Sequence, residues 1–496
     1  MEAYRNPIIL SAVAIYMVLC IAIGIWALRR TKSSHDFFMA GRDLGIFVTA
    51  FAVFSTTLSG FGFVGGPGLV YKMGMSSIWM VVIAVMGFSV STFLHGKKLR
   101  LLSELGDAKS LPDVVYLRYN SNLTRALIAI AIVLGVLGYL ATQILAMSVV
   151  LKDLLIETDV FSDISLSTCM IISCSILVFY SVTGGIIASV YTDLVQGGIM
   201  IIAAILIFFT VVYTYDGGFT EMNQIIRQDD AGAIGPWGTM GMIGCLSWVL
   251  LFGLGGSGQP HVITKFMMNK KVADVRSILP ISILGYVFSG LLWISIGLVM
   301  RALVISGGHP ELASPDEAAS QFLQNYAHPV LAGVVFAGLF AAIMSTADAF
   351  LNIGTAAVMH DLPKSIGKKI TNELTWARLT TFFITIVSAV FAYWASQSGD
   401  LVAILGAFGW GTFAAAIVPA VTLGFNWKRA TPFAANIAIL SSLLINFGVK
   451  LGGIKMPYAI DVGAFSLVVS LIIFIGLSLM TEPHPLDPDV EAVMDL

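Results

Sequence analysis

Ala341-Ala342-Ile343-Met344-Ser345-Thr346-Ala347-Asp348-Ala349 sets two adjacent hydroxyls and a carboxylate inside a long apolar stretch. An ionised carboxylate at mid-bilayer costs at least about 2.5–3.5 kcal/mol, so Asp348 needs a reason to be there. A second acid, Asp193, follows Thr183-Gly184-Gly185 and Tyr191-Thr192 at the start of another apolar segment. Two such acids point to a cation pathway. Hydroxyl and carbonyl oxygens suit a hard cation such as sodium, whereas carboxylates alone can relay protons. Taken by themselves, Ser345 and Thr346 read as hydroxyls bonded within their own helix.

Two glycine-rich interruptions bear on this choice. Ser59-Gly60-Phe61-Gly62-Phe63-Val64-Gly65-Gly66-Pro67-Gly68 and Gly253-Leu254-Gly255-Gly256-Ser257-Gly258-Gln259-Pro260-His261 each fall inside an apolar segment. A broken helix leaves N–H and C=O groups that hydrocarbon cannot satisfy, so such breaks survive only in protein or beside a polar cavity. Matched breaks in two halves are the mark of a carrier with its binding site near the midplane. Carbonyls freed just before Ser59 could join the hydroxyls of Ser345 and Thr346 around sodium. The hydroxyl pair beside a break favours sodium over protons.

These residues must be positioned by membrane helices. The 496 residues are 57% hydrophobic and 11% charged, far below the roughly 25% charged of a soluble chain. The reading is an all-α polytopic integral membrane protein in a lipid bilayer, with about 13 transmembrane helices of ~20 apolar residues each. Basic clusters at Arg29-Arg30, Lys97-Lys98, Lys265 to Arg276, Lys364 to Arg378 and Lys428-Arg429 fall on one side if the N-terminus is outside. The positive-inside rule makes that side cytoplasmic, with the C-terminus there too. A multi-pass protein of the cell membrane, a bacterial inner membrane, is expected. Five spans that begin inside and five that begin outside form an inverted repeat, each half opening with its broken helix. The resulting division is an extra helix and linker (1–44), a first repeat (45–215), an extracellular loop (216–239), a second repeat (240–426), peripheral helices (427–482) and an acidic cytoplasmic tail (483–496).

Other chemistries find little support. Cys20, Cys169, Cys174 and Cys245 lie in apolar segments without metal-ligand spacing. His261 reads as a cap on the half-helix after the second break. No nucleophile elbow, phosphate loop or nucleic-acid-binding tract is present, and the glycine runs lack the strand a dinucleotide fingerprint needs. The chain does not read as an enzyme.

In order and spacing, Asp36-Phe37-Phe38 with Gly41-Arg42, Ser59-Gly60, Gly65-Gly66-Pro67-Gly68, Thr183-Gly184-Gly185 with Thr192-Asp193 and Gln196, Gly258-Gln259-Pro260-His261 and Ala342-Ile343-Met344-Ser345-Thr346 resemble the sodium/solute symporter family. That family includes proline, pantothenate, sugar, sialic acid and choline transporters, and the resemblance spans nearly the whole chain. It implies a leucine-transporter-type inverted-repeat fold. It also implies a sodium site (Na+) from the carbonyls of Ser55, Leu58 and Ala342 with the hydroxyls of Ser345 and Thr346. Thr57, Asp193 and Asp348 become candidates for a second sodium or an exit path. Ala349 and Asp348 stand where a two-sodium relative has serines.

The resemblance also directs attention to the solute. Phe252 and Gly256 match positions that are Trp and Tyr in proline carriers, and Thr57 replaces an aspartate found there, which argues against assuming proline. Thr56, Ser59, Gln143, Phe252, Gly256, Ser257 and Trp410 are candidates for the cavity lining. The same Phe252 and Trp410 also read as helix packing, and Gln143 as interhelical glue. No Lys or Arg is read in mid-membrane. The expectation is a sodium-coupled symporter importing a small organic solute, an amino acid or monocarboxylate, by alternating access. Its rivals are a proton-coupled symporter of the same fold and a membrane-embedded solute sensor.

Overall fold

The structure is a computed structural model that describes residues 5–30, 33–40, 44–156, 158, 161–368, 370–397 and 401–496. Gly41, Arg42 and the Thr183 side chain, all part of the motifs above, lie outside the described residues. The described residues are mostly helical, with one isolated β-bridge between Leu44 and Asn269 among them. Eleven of the described helices are long and apolar enough to cross a bilayer, and Ile46–Thr57 and Leu166–Phe179 are shorter apolar helices. The expected fifth and sixth spans fall within one helical stretch, Leu166–Thr214. Ile15, Phe93, Ile171, Tyr213, Leu444 and Ile472 all face outward. In water such apolar surface would be a liability, whereas lipid accommodates it.

Both interruptions are real breaks. The helix Ile46–Thr57 ends at Leu58, whose φ −84°, ψ 59° leaves the helical region. A π-turn, Phe61–Gly65, and the helix Gly66–Met73 follow, with Pro67 in the first turn. There its missing N–H breaks no helical bond. The second segment runs as Met242–Trp248, a π-turn Val249–Leu254 and a 3₁₀ turn Gly255–Gly258. Gln259 is extended, and Pro260 restarts the helix Pro260–Met267. The loosened backbone is satisfied locally: Gln143 Oε1 accepts from Gly60 N–H at 2.9 Å and Ser59 Oγ from Phe61 N–H at 3.1 Å.

Close approach fixes the breaks against their neighbours. A Cβ on Gly66 would lie 2.2 Å from the Trp293 indole, and one on Gly256 would lie 2.7 Å from Gly87 Cα. The helices Ile78–Ser91 and the second break therefore meet backbone to backbone. The helix Pro329–Ala356, which carries Ser345, Thr346 and Asp348, is buried along nearly its whole length. It packs on Leu166–Thr214, with Gly338 facing Ala203 and Ile199. Small residues there let the two helices draw close together.

Polar clusters tie the ends of the bundle. Asp316, in the turn Pro315–Glu317, accepts from the Val402 N–H at 2.9 Å, satisfying the start of the helix Val402–Ile417. Burial pushes the Asp316 carboxyl up to about 7. At the opposite end Asp113 collects Arg125 (3.4 Å), His360 (2.8 Å) and Lys364 (2.8 Å). The short helix Pro488–Met494 folds back beside Lys97–Leu105 with Val490 and Met494 buried. Lys98 Nζ donates to the Met494 carbonyl at 2.9 Å, and Lys428 pairs with Glu491 and Asp495 at 2.9 and 2.7 Å.

Candidate functional site

The first break and the Pro329–Ala356 helix meet through oxygens. Ser345 Oγ donates toward the Ser55 carbonyl at 3.2 Å and its own Ala342 carbonyl at 3.0 Å. Thr346 Oγ1 donates toward the Thr56 carbonyl at 2.9 Å and the same Ala342 carbonyl at 3.1 Å. All five residues are buried. Carbonyl and hydroxyl oxygens drawn from two helices form a hard-donor set with no fixed geometric demand, which fits an alkali cation. Ser345 and Thr346 thus reach across to the break as well as back along their own helix. The contribution of Thr56 through its carbonyl was missed from sequence, because a threonine draws attention to its hydroxyl. That hydroxyl turns back to the Ala52 carbonyl at 2.6 Å. Leu58 is the residue at which the chain leaves the helix. Thr57 Oγ1 is bonded to the Val53 carbonyl at 2.8 Å.

Asp348 does not join this group, whereas Asp193 reaches its edge at the Ser55 side chain, and each acid has its own main partner. Asp348 accepts from Ser181 Oγ on the Leu166–Thr214 helix. Phe37, Asn352 and Thr381 line the same small recess. Asp193 Oδ2 lies 3.1 Å from Lys265 Nζ, with both side chains shut away from solvent. Lys265 therefore is not a loop cation facing water, as its place in a basic cluster suggests. It belongs to the half-helix Pro260–Met267, and its charge is held inside by Asp193. Neutralising a buried charge with a single partner is what makes its burial tolerable.

The solute candidates separate into two groups. Ser59 Oγ shares a hydrogen bond with Tyr139 Oη at 3.1 Å, and Gln143 lies one turn from Tyr139 on the same helix, Asn122–Ile156. Tyr139 packs on Phe350 at 4.5 Å between ring centres, and His261 packs on Phe350 at 4.7 Å and Trp410 at 6.2 Å. Trp410 in turn lies 5.3 Å from Phe252, and its Nε1–H donates to the Leu251 carbonyl at 3.1 Å. Ser59, Gln143, Phe252 and Trp410 thus share one aromatic-walled region between the breaks, all buried. Tyr139, His261 and Phe350 complete it. Gly256 instead abuts Gly87, and Ser257 Oγ faces Thr422 Oγ1 at 2.9 Å. The i, i+4 spacing of Tyr139 and Gln143 was the signal available for the first of the added residues.

Comparison with known proteins agrees with this architecture. The model of the sodium:solute symporter family matches residues 37–441. The osmoregulated proline transporter OpuE of Bacillus subtilis is 25% identical over 486 residues, covering 96% of this chain and 95% of its own. The high-affinity proline transporter PutP of the same organism is 28% identical over 426 residues, covering 83% and 86%. Among solved structures, a Na+-coupled sialic acid symporter in an outward-open state superposes with a TM-score of 0.77 at 18% identity, covering 96% of this chain and 99% of that one. A nucleobase-cation-symport-1 family transporter in a closed conformation follows at 0.56 and 13%, covering 92% and 98%. With a family match over most of its length and a shared transporter fold, this chain belongs to the sodium:solute symporter family and is a membrane transporter rather than an enzyme.

Proposed function

We propose that this symporter draws a small organic solute, an amino acid or monocarboxylate, into the cell on the sodium gradient by alternating access. The reading places thirteen spans in a cell membrane with the N-terminus outside and the C-terminus inside. Residues 45–215 and 240–426 act as the two inverted repeats. One observation supports it above the rest: the hydroxyls of Ser345 and Thr346 meet the Ser55 and Thr56 carbonyls at the first break. Sodium would be held by these oxygens together with the carbonyls of Ala342 and Leu58, joining two helices that belong to different halves. The solute binds beside both breaks, in the region of Ser59, Gln143, Phe252 and Trp410. Closure on the outside and opening on the inside would part the Pro329–Ala356 helix from the break and free the ion past Asp193. We assign Asp193 to this exit path, since Lys265 already answers its charge. Asp348, bonded to Ser181, sits a turn beyond the hydroxyl pair on the same helix. The proline transport of the relatives supports ranking small amino acids first among solutes, and among the described residues no Lys or Arg is found in the aromatic-walled region, which disfavours dianions.

The test is thermal stability of purified protein with amino acids, monocarboxylates, choline and sugars, in sodium and again in potassium at fixed pH. A bound ligand at 100 times its Kd adds about 2.7 kcal/mol to stability. A solute that stabilises only in sodium supports the coupling. A solute equally effective in both salts removes sodium as the coupling ion.

A further inference from the structure

The aromatic-walled region contains polar groups that the protein leaves unanswered. His261, in the first turn of Pro260–Met267, is fully buried, and neither ring nitrogen has a hydrogen-bond partner. The cap expected from its position is not formed. Gln143 is also fully buried. Its Oε1 accepts from the Gly60 N–H, which fixes the orientation of the amide and leaves Nε2 without a partner. Both side chains border Tyr139: Gln143 one turn along its helix, His261 with ring centres 6.5 Å apart. Leaving a buried polar group without a partner is costly, and two of them on different helices, each neighbouring Tyr139, suit a common ligand.

We propose that His261 and Gln143 form the carboxylate-binding end of the solute site. One imidazole N–H and the Gln143 amide N–H would each donate to the solute carboxylate, with Phe252, Phe350 and Trp410 around its apolar remainder. The proposal rests on the symporter reading and narrows it. A carboxylate only accepts hydrogen bonds, so it answers two donors at once. A quaternary amine answers neither. A sugar would bring several hydroxyls to walls that are mostly rings. A dianion would lack a cation, since Lys265, one turn beyond His261, is committed to Asp193. The second imidazole nitrogen remains an acceptor, available to the ammonium of an amino acid or the hydroxyl of a hydroxy acid.

The probes are L-proline, L-alanine, propionate, L-lactate and benzoate, with L-prolinamide, propionamide and benzamide as matched amides, and choline and glucose as other classes. Binding is followed by thermal shift of the full-length protein in sodium. At least one acid should bind while its amide does not. His261→Phe and Gln143→Leu should each weaken that acid at least about tenfold, a loss of ~1.4 kcal/mol, while sodium alone still stabilises both variants. His261→Gln, which keeps a donor, should lose less than His261→Phe. Which acid binds distinguishes an amino acid from a plain or hydroxylated monocarboxylate. Wild-type affinity in His261→Phe and Gln143→Leu, or an amide bound as tightly as its acid, overturns the assignment. So does wild-type protein that responds to sodium but to none of the acids, or only to choline or glucose; sodium symport then survives. Indifference to sodium against potassium strikes the symporter reading itself.

Discussion

Lys265 Nζ lies 3.1 Å from Asp193 Oδ2, and the two side chains are 1% and 0% exposed. This ion pair joins the half-helix Pro260–Met267 of the second broken segment to the Leu166–Thr214 helix. Removing either partner leaves an uncompensated charge, a loss of about 3–5 kcal/mol where measured in other proteins. Lys265→Met and Asp193→Asn should each lower the melting temperature markedly, and the double variant should recover most of that loss. Thermal denaturation of the three proteins in detergent checks it; additive losses would mean that the charges are not coupled.

Ser345→Ala and Thr346→Ala each remove one hydroxyl from the oxygen cluster while keeping the helix intact. Apparent sodium affinity should fall about tenfold or more in each variant, equivalent to ~1.4 kcal/mol. Sodium titration of solute binding is the measurement. Unchanged sodium dependence in both variants would remove these residues from the ion site.

The crossing of Gly256 and Gly87 leaves no room for a methyl group, since a Cβ on Gly256 would lie 2.7 Å from Gly87 Cα. Overpacking of this kind costs about 1–3 kcal/mol. Gly256→Ala should therefore destabilise the protein and reduce transport. Gly448→Ala serves as the control: it lies within the helix Pro432–Leu451, and its added Cβ meets nothing within 4 Å. Alanine favours a helix by up to about 1 kcal/mol over glycine, so that variant should be at least as stable as wild type.

Asp316 predicts a pH dependence of stability. In the fold, burial pushes its carboxyl up from an ordinary value of 3.8 to about 7. The folded state thus binds this proton more tightly than the unfolded state does. Its contribution is fully present below the ordinary carboxylate range and is lost as pH rises toward 7. Asp316→Asn keeps an acceptor for the Val402 N–H but cannot ionise, so it should flatten the fall in melting temperature over that window. An unchanged slope would assign the dependence to other groups.

The parts of this architecture legible in the sequence were those with no competing local explanation. Glycine and proline inside apolar segments at 59–68 and 253–261 cannot be ordinary helix, and the structure unwinds at Leu58 and at Gly255 to Gln259. Ser345 and Thr346 alone read as hydroxyls bonded within their own helix, and it was the neighbouring break and the family resemblance that singled them out. What could not be read were partnerships across the fold. Lys265 follows an apolar segment and precedes Lys270 and Lys271, so it reads as an interfacial cation; its burial depends on Asp193, 72 positions away. Asp348 found a hydroxyl partner in Ser181, 167 positions away. His261 read as a cap because Pro260 and His261 open a half-helix, but only the folded rings around it reveal that its nitrogens are left unbonded.

The helix Pro488–Met494 is fastened by apolar packing, by the Lys98 hydrogen bond to the Met494 carbonyl and by ion pairs. Val490 and Met494 seat it through apolar contact, while Lys428 holds Glu491 and Asp495 in exposed ion pairs. Charges in water are screened over a Debye length of about 8 Å at physiological ionic strength and about 3 Å at 1 M. The ionic part of the fastening therefore slackens as electrolyte concentrates, while the apolar part holds. The membrane-embedded ion pair of Lys265 and Asp193 feels almost none of this change. One molecule thus carries a strap whose tension follows the composition of the surrounding fluid and a bolt that ignores it.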